Sequence, residues 1–248
     1  MMIDTHCHVF EDEKIDLKTI MKNMDGNIVI FSGATKEDNE NTIKAIKEYE
    51  NAYGTIGFHP DEASNIKDED INDLENKLNK KIIGIGEIGL DYYHNDNKEE
   101  QKSLFIKQLN LARKHNLPVV VHSREAALDT FEILKDYEDL KKVMHCYSYS
   151  LDMAYRFIDI GCTLGIGGVL TFKNAKNIKE VVENIPLEKI VLETDSPYLT
   201  PEPFRGTSNQ PHNIIYVAEK IAELKNIDIE KVYDITTKNA CEIYNIKI

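Results

Sequence analysis

The feature that most constrains the fold is a regular alternation of short apolar segments with longer amphipathic ones. Eight segments have the length and composition of strands. They are Met2–His6, Asn27–Phe31, Tyr53–Gly57, Ile82–Gly86, Pro118–His122, Lys142–His145, Cys162–Ile166 and Lys189–Glu193. Helical patterning lies near 14–24, 36–50, 68–80, 98–116, 125–138, 150–160, 174–184 and 210–225, and a last helix is predicted near 228–245.

Several strand candidates are apolar throughout instead of alternating, as in NIVIF at Asn27–Phe31. This pattern is typical of strands buried on both faces in parallel sheets that helices cover. Eight β-α units therefore predict an α/β protein with a (β/α)8 TIM barrel and an extra C-terminal helix. A doubly wound open sheet is the structural alternative. The chain has no internal repeat, low-complexity tract or Pro/Gly-rich linker, so we predict one domain over residues 1–248.

Composition narrows the class of function. The formal net charge of the 248 residues is −13, which disfavours a protein that coats long duplex DNA. The four cysteines are far apart and form no CxxC pair, which argues for a reducing compartment. No apolar run approaches the ~18 residues of a membrane span, and no basic segment with an apolar stretch opens the chain. We expect a cytoplasmic monomer without a membrane role.

Polar residues fall where the predicted strands end. They are Asp4, His6, His8, His59, Glu87, His122, His145 and Asp195. In a (β/α)8 barrel the carboxyl ends of all strands lie on one rim, where active sites are built. The sequence therefore predicts that these residues, spread over most of the chain, line one cavity.

The histidines are candidate metal ligands. His6 and His8 point to the same side of an extended strand, because side chains alternate with a period of two. His122 and His145 would each, taken alone, more often be an ordinary buried histidine. Four histidines in one barrel mouth instead favour divalent cations, with zinc as the leading candidate and manganese, nickel or iron as others. Asp4 is expected to support a ligand or to accept a hydrogen bond at the strand end.

Two carboxylates complete the candidate centre. Glu87 lies among glycines and is either an exposed turn acid or a carboxylate that bridges two cations, with the glycines leaving room for ions. Asp91 is expected to cap the next helix or to orient a ligand. Asp195 is either a turn acid before Pro197 or a ligand that accepts a proton from metal-bound water. Metal coordination lowers the pKa of such water to ~7.

Three further residues are candidates for substrate contact. His59 precedes a proline and is either a loop histidine or a substrate contact. Arg124 and Arg205 account for half of the four arginines and fall beside the predicted site. Arginine binds phosphate through two parallel hydrogen bonds. The alternative for both arginines is an ordinary surface charge or a pair with a local acid.

At this point the sequence resembles the TatD family of metal-dependent deoxyribonucleases. The resemblance rests on seven blocks in a fixed order and covers essentially the whole chain. The blocks are DTHCH from Asp4, GFHP from Gly57, GIGEIGLDY from Gly84, VHSREA from Val121, HCYS from His145, ETDSPYL from Glu193 and RGTSNQP from Arg205.

The resemblance implies a (β/α)8 metal-dependent phosphodiesterase that acts on DNA from strand ends. The net charge of −13 favours DNA ends or short single strands over a long duplex as the substrate. It implies two divalent ions, zinc or manganese, magnesium or nickel. One ion would be held by His6, His8, Glu87 and Asp195, and the other by Glu87, His122 and His145. Glu87 and Asp195 would be catalytic, with Asp195 as general base. His59, Arg124 and Arg205 would contact the substrate phosphate.

The sequence departs from the family pattern at three positions. Asp61 stands where the family commonly has His, Tyr149 where it usually has Gly, and Thr207 where it often has Lys. These changes bear on DNA affinity and substrate choice more than on hydrolysis. One alternative is a hydrolase of a small ester, amide or phosphoester on the same scaffold, because fold and metal do not decide the substrate. Another is a non-enzymatic binding barrel with a structural metal. The sequence argues against the second, since a closed structural zinc site usually takes four ligands and this set offers six.

Overall fold

The computed structural model describes residues 1–10, 16–93 and 96–248. The strands are β1 Ile3–Cys7, β2 Ile28–Ser32, β3 Ala52–Ile56, β4 Ile82–Asp91, β5 Val119–Arg124, β6 Lys142–Met144, β7 Cys162–Ile166 and β8 Ile190–Leu192. The helices are α1 Leu17–Asn23, α2 Lys36–Glu48, α3 Asp68–Asn76, α4 Lys98–His115, α5 Ala127–Leu134, α6 Leu151–Asp159, α7 Lys176–Asn184, α8 Ile214–Lys225 and α9 Ile229–Tyr244. The predicted alternation is confirmed, and residues 14 and 15 of the first predicted helix lie outside the described ranges.

The eight strands form one parallel sheet in sequence order, each hydrogen-bonded to the next. The gap between β8 and β1 is bridged by individual hydrogen bonds. The Thr5 hydroxyl donates to the Leu192 carbonyl (2.9 Å), and the Asp195 amide donates to the His6 carbonyl (2.9 Å). The sheet thus curls into a nearly closed TIM barrel. The barrel prediction is confirmed, and the open-sheet alternative is wrong.

The core has two parts because each strand buries both faces. The outer part packs the sheet against the helices. The inner part fills the lower barrel with branched side chains such as Ile30, Val120 and Val191, and the α9 residues Ala240 and Tyr244 close it from below. Helix α9 is the extra C-terminal helix that the sequence predicts. None of the helices in the described ranges is both long and apolar enough to cross a membrane.

Strand β4 differs from its prediction. It continues to Asp91, which pairs with Arg124, so Glu87 lies within the strand and not after it. The register shifts between Ile85 and Ile88, which marks a bulge at Glu87. The expectation that the glycines around Glu87 leave room for ions is also wrong. A Cβ on Gly86 would lie 2.6 Å from Val120 Cβ, so this glycine allows β4 and β5 to pack closely.

Candidate metal centre

Six of the predicted site residues meet at the C-terminal rim of the barrel. His6 lies in β1 and His8 directly follows it, Glu87 lies in β4, His122 in β5, and His145 and Asp195 follow β6 and β8. The bulge re-aims Glu87, and its amide donates to the Gly33 carbonyl (2.8 Å). Glu87 is nearly fully buried, at 4% exposure. Its carboxylate is the centre around which the histidines are arranged.

The two oxygens of Glu87 face two different pairs of imidazoles. Oε2 lies 3.5 Å from His6 Nε2 and 3.8 Å from His8 Nε2. Oε1 lies 2.8 Å from His122 Nδ1 and 3.7 Å from His145 Nε2. The Glu87 carboxylate thus lies between two pairs of nitrogen atoms, and imidazole and carboxylate groups are common ligands of divalent cations.

Asp195 faces the same space from the opposite side. Its Oδ1 lies 3.7 Å from His6 Nε2, 3.5 Å from His8 Nε2 and 3.8 Å from His145 Nε2. The residue adopts a left-handed backbone with φ of 57°, and its amide is bound to the His6 carbonyl. The turn after β8 is thereby fastened to β1, which holds the carboxylate over both histidines of the first pair.

The residues present fit divalent metal ions. The buried Nε2 of His6 has no hydrogen-bond partner among the described residues. A buried nitrogen without a partner costs about 1–3 kcal/mol, and a cation would remove that cost. Two triads, His6, His8 and Glu87 on one side and Glu87, His122 and His145 on the other, each bring their ligand atoms within 4.8 Å of one another. Imidazole and carboxylate ligands together suit zinc and other first-row metals.

A second layer of residues orients the histidines through their other ring nitrogens. His6 Nδ1 lies 3.0 Å from the Ser32 hydroxyl, and His8 Nδ1 lies 3.0 Å from the Ser32 carbonyl. His122 Nε2 lies 3.1 Å from Asp91 Oδ2, so of the two roles predicted for Asp91 the structure supports orientation. Such partners fix the ring orientation of metal-binding histidines.

Glu193 takes the equivalent place beside His145. Its fully buried Oε1 lies 3.2 Å from His145 Nδ1 and accepts a hydrogen bond from the Cys146 amide (2.6 Å). Sequence reasoning missed the roles of Glu193 and Ser32. An acid at the end of an apolar strand was the available signal for Glu193, whereas Ser32 carried none.

Asp4 does not reach the centre. It accepts hydrogen bonds from the Thr194 amide (3.0 Å) and hydroxyl (2.6 Å), and from the His6 amide (3.2 Å). It therefore bridges β1 and the segment after β8, as a strand-end acceptor. Burial raises the pKa of this carboxyl well above its usual value, although the bonds from Thr194 oppose that shift.

The ionisable groups of the cluster shift one another's pKa values. Burial alone would raise the pKa of Glu87, but His145 and His122 outweigh burial and lower it well below its usual value. Burial opposes protonation of His145 and His122. The carboxylates of Glu193 and Glu87 nevertheless raise the pKa of His145 to about 10, and Asp91 and Glu87 raise that of His122 to about 9. Carboxylates that stay ionised among imidazoles form a site where cations can replace protons.

The predicted substrate contacts are placed less uniformly. His59 Nε2 lies 3.9 Å from Glu87 Oε1 and borders the cavity. Arg124 and Arg205 are exposed and are not among the described residues that line the cavity. Their guanidinium carbons lie 3.7 Å and 3.8 Å from the ring centroids of Tyr93 and Phe172. The two arginines are thus on the rim, held against aromatic rings.

The cavity above the cluster has a volume of about 330 Å³. The polar side chains that line it are His8, Asp38, His59, Glu87, His122, His145 and Asp195, and the apolar contribution comes from Val9, Phe10, Ala34, Pro197 and Tyr198. No lysine or arginine is among the described lining residues. Among the described lining side chains, the imidazoles are thus the groups that could attract an anion in the absence of a bound cation.

Comparison with known proteins decides the family. Residues 3–245 match the profile of the family described as TatD related DNase. The chain belongs to the TatD family. It is 38% identical to the uncharacterized metal-dependent hydrolase YabD of Bacillus subtilis, over 99% of this chain and all of that protein. It is 31% identical to the uncharacterized metal-dependent hydrolase YcfH of Escherichia coli, over 99% and 96% of the two chains.

Solved TatD structures have the same fold. The crystal structure of YjjV, a TatD homologue from Escherichia coli, superposes with a TM-score of 0.93 at 28% identity and covers 99% of this chain and 98% of that one. A TatD-family hydrolase from Entamoeba histolytica shares the fold with a TM-score of 0.85. This TatD protein is accordingly a metal-dependent hydrolase, and the resemblance expected from the sequence motifs is confirmed.

The three departures from the TatD pattern replace none of the predicted ligands of the centre. Asp61 Oδ2 lies 3.3 Å from His59 Nδ1. The Tyr149 hydroxyl lies 2.9 Å from the Ser123 hydroxyl and accepts from the Ala126 amide (3.3 Å). The exposed Thr207 hydroxyl donates to a backbone carbonyl in its own loop (2.8 Å). Asp61 thus adds a negative charge beside a predicted substrate contact.

Proposed function

We propose that this TatD protein is a deoxyribonuclease that hydrolyses phosphodiester bonds at DNA ends or in short single strands with two divalent ions. The observation that carries the proposal is the position of Glu87, whose two carboxylate oxygens face two separate pairs of histidines. A centre with two cations clamps both the attacking and the leaving oxygen of a phosphoryl group.

The residues of the chain then have distinct roles. His6, His8 and Asp195 would hold one ion, His122 and His145 the other, and Glu87 both. The ions would supply Lewis acidity toward the phosphoryl oxygens and a water nucleophile that is acidic enough at neutral pH.

Asp195 is the best-placed general base. Its side chain keeps 14% exposure, whereas that of Glu87 keeps 5%. The Asp195 carboxylate would therefore hold an ion and still be open to water, and it would accept the proton released during attack. His59, at the edge of the cavity, would donate a hydrogen bond to a substrate oxygen.

The charge of the chain favours a substrate that presents few phosphates at once. The net charge is −13, and the cavity has no lysine or arginine among its described lining residues. Arg124 and Arg205 on the rim would contact phosphates that flank the scissile one. Binding should weaken only mildly with salt, because the salt slope scales with the number of neutralised phosphates.

The absence of a cationic side chain from the described cavity lining also favours a second candidate. A neutral ester or amide needs no arginine, and two ions with Asp195 would suffice to hydrolyse it. The same residues would act, and the substrate would be a small molecule that fits about 330 Å³.

The decisive assay uses metal-reconstituted protein and short single-stranded DNA labelled at either end. Manganese, magnesium, zinc and nickel are compared, and Glu87→Ala and Asp195→Ala serve as controls. Stepwise shortening that requires metal and is lost in both variants supports the nuclease, and the label gives the polarity. Two bound ions per chain without any DNA cleavage would refute the nuclease and favour the small-substrate hydrolase.

A further inference from the structure

One wall of the cavity is apolar and adjoins the metal-ligand cluster directly. It consists of Val9, Phe10, Pro197 and Tyr198, which we call the apolar lip. Tyr198 is 61% exposed, which is a large fraction for an aromatic side chain. Its ring centroid lies 5.9 Å from that of His8, at an interplanar angle of 70°. A solvent-exposed aromatic ring thus lines one side of the cavity, and the metal-ligand residues line its bottom.

The backbone under this ring is held on both sides. The Tyr198 amide donates to the Asp195 carbonyl (2.8 Å), and its carbonyl accepts from the Asn209 side chain (2.8 Å). Asn209 is fully buried and also donates to the Thr194 carbonyl (2.9 Å). The backbone of Tyr198 is therefore held in the same turn that carries Asp195.

We propose that the apolar lip binds a nucleobase of the substrate, with Tyr198 as the stacking platform. The inference rests on the proposed nuclease function and adds which part of the nucleotide the protein contacts. Every base has a π-face, and stacking on an aromatic side chain is tolerant of sequence. A nucleotide carries an anionic phosphate and, next to it, the flat π-face of a base. The cavity matches this pattern, because the candidate cation ligands lie next to an apolar wall.

The composition of the cavity adds to this argument. No lysine or arginine is among its described lining residues, and the arginines on the rim would contact only flanking phosphates, so no cationic side chain described inside the cavity holds the nucleotide that is cleaved. Stacking on Tyr198 then supplies binding energy that phosphate contacts supply in more basic nucleases. Tyr198 is accordingly a specificity-determining residue that separates nucleotide substrates from phosphodiesters without a base.

The chain contains no tryptophan, which allows a direct spectroscopic test. Tyr198→Trp introduces a single tryptophan at the lip, and Phe204→Trp introduces one at an exposed site (41%) that is not among the cavity-lining residues. Both metal-loaded variants are titrated with 2′-deoxyguanosine 5′-monophosphate, 2′-deoxyribose 5-phosphate and inorganic phosphate. We expect saturable quenching of Tyr198→Trp by the nucleotide only, and no saturable quenching of Phe204→Trp.

Kinetics on the otherwise native enzyme complete the test. Tyr198→Ala should lower kcat/KM on single-stranded DNA by about 5- to 150-fold, mainly through KM. The loss should be much smaller on an abasic single-stranded oligonucleotide, which has the same phosphodiester bonds and no base to stack. Tyr198→Phe should restore the wild-type KM on DNA, because the ring and not the hydroxyl stacks.

The outcomes separate the two proposals. If wild-type enzyme cleaves DNA but Tyr198→Trp is not quenched and Tyr198→Ala keeps its KM, the lip proposal is overturned and the nuclease stands. If wild-type enzyme leaves DNA intact while the nucleotide quenches Tyr198→Trp, the lip binds a base and the nuclease proposal fails. Equal quenching of both tryptophan variants, or by phosphate alone, would also overturn the lip proposal.

Discussion

The substitution Gly165→Ala tests whether the layer behind the histidines controls the metal centre. Gly165 lies in β7, and a Cβ there would stand 2.2 Å from Glu193 Oε2 and 2.8 Å from its Cδ. Ordinary van der Waals contact begins at 3.4 Å, so the carboxylate has to retreat by about 1 Å. The buried Glu193 cannot do so without disturbing its contacts to His145 Nδ1 and the Cys146 amide.

The size of the effect follows from what Glu193 does for His145. Loss of such an outer partner typically costs about 10- to 100-fold in metal affinity or activity. We therefore expect Gly165→Ala to weaken binding of the ion near His145 by that factor and to lower kcat/KM comparably. Overpacking alone should cost about 1–3 kcal/mol of stability, which thermal unfolding measures separately.

The assay is metal titration by calorimetry on protein whose fold is checked by circular dichroism. Gly167→Ala is the matched control, because a Cβ there would lie 3.5 Å from the Glu193 carbonyl at a φ of −118°. Glu193→Gln removes the charge without adding a clash and should weaken the same ion. If Gly165→Ala and Glu193→Gln bind both ions as tightly as Gly167→Ala does, the role assigned to Glu193 is refuted.

Further predictions concern the ions, the core and the rim. Saturating metal at about 100 times its Kd should raise Tm by about 5–10 °C over chelator-treated protein, and an unchanged Tm would exclude a site in the folded chain. Tyr244→Phe should raise the free energy of unfolding by about 1 kcal/mol, because this buried hydroxyl has no partner among the described residues, and a loss in urea titration would contradict that account. Lys142→Met should lower the same free energy by about 1–3 kcal/mol, since its buried ammonium donates to two carbonyls (2.8 and 2.9 Å), and equal urea midpoints would refute this. Replacing Arg124 and Arg205 by Ala should reduce kcat/KM on DNA while sparing a neutral ester, and equal losses on both substrates would argue against phosphate contact.

The elements of the barrel and the residues at its rim follow from local features of the sequence. The period of the apolar residues indicates strands and helices, and eight β-α units predict a parallel barrel. Histidines and acids at the ends of strands then had to share one rim, because parallel strands all point the same way. Strand direction therefore suffices to bring His6, His8, His122, His145 and the two carboxylates to one rim.

The tertiary structure alone decided the contacts within that rim. The direction of the Glu87 side chain depends on a bulge in the pairing of β4 with β5. The glycines beside Glu87 allow the neighbouring strands to pack closely against β4. Arg124 and Arg205 are near the site in sequence, yet both pack on aromatic rings at the edge of the barrel.

The sequence by itself determined the architecture and the set of polar residues at one face, because periodicity and strand direction are local properties of the chain. Which oxygen of Glu87 faces which imidazole, and that Glu193 stands behind His145, were decided only by the tertiary structure. Those contacts join residues on different strands, and a one-residue change of register would move a side chain to the other face of its strand.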